Sequence, residues 1–234
     1  MRTLIIASMA PVLAIMAFLD AVFLYRMYRQ YRNNGRKVIP LLVGVLCIGL
    51  FYDALILSLG AVLKYGSVFK ALSQMRYILH CTMIPLLFPI CCYTFDSPKL
   101  VKPVWAVTVA VMLLGLAAGI CTEIEPRTVG AISRYAVSEA NPSWVDGIQQ
   151  VLDIFPVFLM IGLGLVIWKR KKNPNLCLAG AFMLLFTMLG IFLGKDPGGD
   201  KSQSLMFYIS MFGESLMVYY LWRFSERSRD SDAE

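Results

Sequence analysis

Residues 38–63 read VIPLLVGVLCIGLFYDALILSLGAVL, and the only charged side chain in the whole stretch is Asp53. About 20 apolar residues suffice for a helix to cross the hydrocarbon core of a bilayer. The stretch therefore reads as a transmembrane helix with one carboxyl held inside it. Six further runs share its character: 4–25, 77–95, 104–121, 148–168, 176–193 and 205–222. The composition agrees, at 58% apolar and 16% charged with a mean hydropathy of +0.66, where soluble domains average about half and a quarter. A soluble enzyme, a disordered chain and a disulfide-rich scaffold are excluded. The expected fold class is all-α: a polytopic membrane protein, a seven-transmembrane-helix bundle in one domain over 1–234, with a short polar tail at 223–234.

The 22 basic residues give a net charge of +7, and their positions decide what that charge means. Segment 26–37 (RMYRQYRNNGRK) holds five, 96–103 two, 169–175 (KRKKNPN) four, and the tail from Arg223 three, so fourteen fall on one side. The other side has eight: Arg2, Lys64, Lys70, Arg76, Arg127, Arg134, Lys195 and Lys201. Segments 26–37 and 169–175 carry no acid, whereas 122–147 holds Glu123, Glu125, Glu139 and Asp146. Basic excess marks the cytoplasmic face. The N-terminus is expected outside and the C-terminus in the cytoplasm, in a multi-pass protein of the cell membrane. The first run is too long for an ordinary signal-peptide core and is read as a span. Basic loops pinned beside membrane ends suit lipid headgroups, so membrane lipids are expected partners and nucleic acid is not.

Five of the six cysteines fall inside spans as packing residues, with Cys121 at a helix end. No Cys/His spacing supports zinc or haem attachment, and no cofactor is expected. Asp53, His80 and Glu214 make a three-ligand metal set on paper, but one imidazole is few for the purpose and the expectation is no metal. Three seven-helix architectures fail on residues. Microbial opsins need a Lys in the middle of the seventh span, which here reads LMFYISMFGESLMVYYLW. Membrane hydrolases of the ceramidase and adiponectin-receptor type use three His on zinc, and this chain has one His in all. G-protein-coupled receptors carry DRY and NPxxY motifs, both missing here. Gly115 and Gly119 form a GxxxG that serves close packing within the chain or a homodimer face.

The informative residues are ionisable groups inside apolar runs, each costing several kcal/mol unless paired or watered. Asp53 and Glu214 are placed near the midplane of the second and seventh spans. His80 and Arg76 stand i,i+4 at the start of the third span, with Tyr77 between them. Asp153 enters the fifth span on the same face as Gln149, and Pro85, Pro89 and Pro156 are expected to open their helices nearby. Tyr52 precedes Asp53, and Ser210 shares a face with Glu214. Asp20 stands apart at the cytoplasmic end of the first span, where it is expected to meet water or the basic segment 26–37. Four or five polar groups thus share the outer half of the bilayer, and one outward-opening cavity accommodates them all.

Two carboxyls in low dielectric do not both stay ionised when close together. Asp53 and Glu214 are therefore the candidate catalytic acid/base pair, with His80 as relay. Arg76 is the anchor for an anionic headgroup, and Asp153, Tyr52, Tyr77 and Ser210 complete the ligand-binding set. Arg76 is expected to pair with Asp153, and Glu214 to bond with Tyr52 or Ser210. Two functions follow: binding or chemical modification of a small amphiphilic, lipid-like molecule, or, alternatively, proton-linked transport of a small solute or sensing without covalent retinal. The charge map gives the first test. Single-cysteine variants labelled from outside intact cells should react within 122–147 and stay silent at Asn34 and Asn173; labelling at either asparagine contradicts the orientation.

Overall fold

In two of the helices an acid interrupts two apolar clusters, and the fold is built around that interruption. The computed structural model describes residues 2–33, 37–94, 98–193 and 205–230; Asn34, Phe95, Lys195 and Lys201 of the sequence reading lie outside them. The helices are α1 (Arg2–Asn33), α2 (Val38–Leu59), α3 (Ser67–Met83), α4 (Leu87–Thr94), α5 (Pro98–Cys121), α6 (Ser143–Lys171), α7 (Asn175–Leu193) and α8 (Met206–Asp230). A 3-10 turn, Ile84–Leu86, joins α3 to α4 into one long kinked rod. Pro85 sits inside that turn, where its missing N–H and ring forbid a regular α-helical bond. Pro156, by contrast, is accommodated within an unbroken α6.

Each helix packs on the next in chain order, and α1 closes on α8, giving a ring with α2 and α8 touching across it. One cluster fills the half toward the basic segments, with Leu46, Leu50, Leu87, Met160, Leu176 and Leu221 at its centre. A second fills the other half from Met9, Leu13, Leu57, Ile132 and Tyr208. Asp53 falls between Leu50 and Leu57, and Glu214 between Met211 and Met217, so each acid lies at the seam. Among the described residues six helical rods, namely α1, α2, α3–α4, α5, α6 and α7, are long and apolar enough to cross a membrane. Their outward faces carry exposed large apolar groups such as Phe18, Leu113, Phe158 and Phe192, which suits contact with lipid rather than water. This is a helical, multi-pass membrane architecture.

Close approach is achieved where side chains are absent. A Cβ on Gly115 would run into the backbone of Cys81, and one on Gly119 into Ile78. The GxxxG of α5 is thus consumed by packing against α3 within the chain.

Helices extend past the apolar runs that marked them. α1 carries Arg26, Arg29 and Arg32 on its last turns, and α6 carries Lys169, Arg170 and Lys171. Basic groups complement the partial negative charge at helix C-termini. α3 begins at Ser67, ten positions before the expected start, because Lys70, Ser73 and Gln74 interleave with Phe69 and Leu72 on an amphipathic helix. α2 stops at Leu59, and Gly60 turns the chain away.

Segment 122–147, read from sequence as a plain loop, contains a β-hairpin. β1 (Ile124–Val129) pairs antiparallel with β2 (Ile132–Val137), with Val129 opposite Ile132. Gly130 has φ +60°, and Ala131 is not in the positive-φ region, which fits the type II′ turn that suits two-residue hairpin loops. The hairpin lies across the ends of α2, α3 and α8. Ser133 N–H donates to Gly60 O at 2.8 Å, the Tyr65 and Thr128 hydroxyls bond at 2.6 Å, and Tyr77 Oη donates to Tyr135 O at 3.3 Å. Glu125 accepts from Arg127 at 2.5 Å and from Ser138 at 2.9 Å, and these bonds hold its carboxyl below the ordinary range.

Candidate functional site

The seam between the two clusters, roofed by the hairpin, is a polar chamber of about 260 Å³. α2 supplies Asp53 and Leu57; α3 supplies Arg76, Tyr77, His80 and Cys81; α6 supplies Gln149 and Asp153. α7 contributes Met183 and Thr187, α8 contributes Phe207, Ser210 and Glu214, and β2 contributes Val137. Of the eight site residues expected from sequence, seven line this one space. Tyr52 does not: it turns to α3 and donates its hydroxyl to Leu72 O at 3.0 Å.

Two expected pairings are corrected. Arg76 pairs with Asp53, through Nε to Oδ1, and not with Asp153. The helix boundaries explain the exchange. With α3 starting at Ser67, Arg76 lies nine residues into its helix, about 14 Å along it; with α2 ending at Leu59, Asp53 lies six residues, about 9 Å, from its hairpin-side end. Both shifts bring the pair toward one level. Asp153 instead stands 3.5 Å from His80 Nε2, with a side chain 57% exposed. Glu214 does not bond to Tyr52 or Ser210, because the Ser210 hydroxyl donates within α8 to Phe207 O at 3.1 Å. Glu214 Oε2 is buried without a hydrogen-bond partner.

Asp20 is also relocated. α1 runs on to Asn33, so Asp20 lies mid-helix, 2% exposed, instead of at a wet end. α1 and α2 run antiparallel with Met27 against Gly44, which puts Asp20 about half a turn deeper than Asp53. The two carboxyls feel one another electrostatically, as Glu214 feels both.

Sequence reasoning passed over Arg134. It sits on β2, buried, with its guanidinium carbon 3.8 Å from the centre of the Phe207 ring. Arg134 Nε and Arg76 Nη1 are both buried without hydrogen-bond partners. Burial lowers the Arg134 guanidinium to about 10, and the like charge of Arg76 adds to the effect while Tyr77 opposes it. A hairpin that folds an arginine inward was not visible while the segment was read as a loop.

Below the polar chamber lies an apolar recess of about 40 Å³, walled by Leu46, Leu50, Ile84, Leu87, Pro156 and Met217. Four residues line both spaces: His80, Asp153, Met183 and Glu214. The geometry therefore offers a guanidinium with an unpartnered N–H, that of Arg76, at one end, acids and an imidazole at the junction, and hydrocarbon at the other. No protein-family model and no curated protein matches the chain.

The Arg76–Asp53 pair links α2 to α3 with both side chains at least seven-eighths buried. Removing one partner of such a pair leaves an uncompensated buried charge. Arg76→Met should lower unfolding free energy in detergent by about 3 kcal/mol or more. The double variant Asp53→Asn/Arg76→Met should recover most of that loss. Equal and additive losses in chemical unfolding curves would show that the two groups do not act as a pair.

Proposed function

We propose that the chain is a seven-span protein of the cell membrane whose intramembrane chamber binds a small amphiphilic, lipid-like molecule. The observation that carries this reading is the junction of a polar chamber with an apolar recess through His80, Asp153, Met183 and Glu214. A uniformly polar solute has no use for the recess, and a purely apolar one cannot satisfy the chamber. An amphiphile suits both. Its headgroup meets Arg76 Nη1, a buried donor without a hydrogen-bond partner among the described residues, and charge-assisted bonds to a carboxylate or phosphate are the strong kind. Its chain lies toward Leu50 and Met217.

Entry is from the side. Asp153 is exposed on α6 beside Ile154 and Phe155, each 54% exposed, so the chamber reaches the lipid-facing wall there. With the basic segments cytoplasmic, the hairpin is outside and the molecule comes from the outer leaflet. In this reading Asp53 and Glu214 are the acid/base groups available for chemistry on the bound molecule, with His80 between them as the relay and Tyr77 and Ser210 on the wall.

A second reading rests on Asp20. Asp20 is a further buried acid on α1, outside the chamber lining and close enough to act on Asp53 and Glu214, and such an additional intramembrane acid is what a proton-linked carrier uses.

Both readings meet in one experiment. Native mass spectrometry of the protein released from membranes should show a bound amphiphile, and a fluorescent lysophospholipid should displace it. Met183→Trp at the junction should cut retention about tenfold, the equivalent of about 1.4 kcal/mol, with an unchanged size-exclusion profile. Leu185→Trp on the lipid-facing side should not. No bound or displaceable amphiphile in the wild type overturns the binding reading. In liposomes, Asp20→Asn that stops proton-coupled uptake while retaining binding identifies the carrier; uptake unaffected by it removes that reading.

A further inference from the structure

The chamber brings Asp53, His80 and Glu214 together from α2, α3 and α8, with one potential ligand atom of each lying within 4.8 Å of the other two. We propose that these three residues bind a first-row divalent metal ion, zinc being the reference case. Three separate observations support this beyond proximity.

The first is the unsatisfied carboxylate. Glu214 is 7% exposed, lines the chamber, and leaves Oε2 without any hydrogen-bond partner. A buried acceptor in that condition is costly and calls for a partner. The second is the local charge. Asp53, Asp153 and Glu214 line the chamber, and the guanidinium that lines it with them is that of Arg76. Three carboxyls against one guanidinium make the lining one that favours a cation over an anion. Arg76 takes Oδ1 of Asp53, and a carboxylate has a second oxygen to offer.

The third is the ligand chemistry. An imidazole with carboxylates suits zinc, iron or manganese, whereas calcium and magnesium select oxygen donors alone. Asp153, 3.5 Å from His80 Nε2, supplies the outer carboxylate that metal-bound histidines characteristically keep. Ligand atoms around zinc stand about 2.0–2.2 Å from the ion, so the three groups close by about an ångström through side-chain rotation. Three protein ligands leave a fourth position, facing the free volume of the chamber, where water or a headgroup oxygen fits. Metal binding needs no amphiphile, so it stands or falls separately from the proposed function.

The test uses the full chain in detergent, stripped with a chelator and titrated with Zn²⁺ alone. Calorimetry and elemental analysis should find one ion per chain. His80→Ala and Glu214→Gln should each weaken binding about tenfold or more. Cys91→Ser/Cys92→Ser, which removes the two neighbouring thiols of α4 outside the chamber lining, should leave it unchanged. Because the chain has a single histidine, ¹⁵N-histidine labelling of the wild type reports on His80 alone, and stoichiometric Zn²⁺ should shift its ring resonances whether or not the variants fold. Absence of saturable binding, an unmoved His80 signal, or binding lost with the cysteines and kept in His80→Ala overturns the site.

Discussion

The buried pair of Arg76 and Asp53 is the interaction on which the rest of the chamber depends. Asp53 alone in an apolar helix is unaffordable, and Arg76 alone beneath a hairpin equally so. Together they tie α2 to α3 and fix the rotation of α3 about its axis. His80 follows four residues after Arg76, so the same rotation turns the imidazole toward the chamber. The 3-10 turn at Pro85 then redirects the rod, letting α4 rejoin the lower apolar cluster while α3 serves the polar seam. One ion pair thus sets the position of groups from three helices.

The hairpin adds an asymmetry that helices alone would not provide. Its Arg134 stacks on Phe207, and its backbone donates to Gly60 O at the end of α2 and accepts from the Tyr77 hydroxyl of α3. One end of the chamber therefore carries the Arg76–Asp53 ion pair, and the other opens onto Leu50, Ile84 and Met217. Between them the acids outnumber the guanidinium groups. That excess favours protons or a cation in the chamber.

The helical membrane architecture was legible because water-excluding runs such as 38–63 admit few other readings. The candidate acids were legible for the same reason: a carboxyl in such a run stands out by its cost. What hydropathy could not give was where helices begin. The polar positions Lys70, Ser73 and Gln74 hid the first turns of α3, and moving that start by ten residues exchanged Arg76's partner from Asp153 to Asp53. Asp20 was misplaced likewise, since α1 continues through its arginines instead of ending before them. The hairpin had a readable signal in VGAI, residues 129–132, a glycine turn between β-branched residues. It was masked by attention to charge, and Arg134 was lost with it. Rotamers, and hence the unpartnered Glu214 oxygen, were beyond any sequence pattern.

The central claim is that Glu214 and His80 face one another inside a single chamber. Solid-state NMR on the protein in bilayers, with ¹⁵N-histidine and ¹³C-carboxyl glutamate labels, tests it without altering a residue, because His80 is the only histidine. A ring nitrogen 4.8 Å or less from a Glu214 oxygen predicts clear dipolar dephasing between the imidazole and one glutamate carboxyl, and that signal should vanish in Glu214→Gln. No dephasing, or dephasing that persists in Glu214→Gln, would contradict the shared chamber.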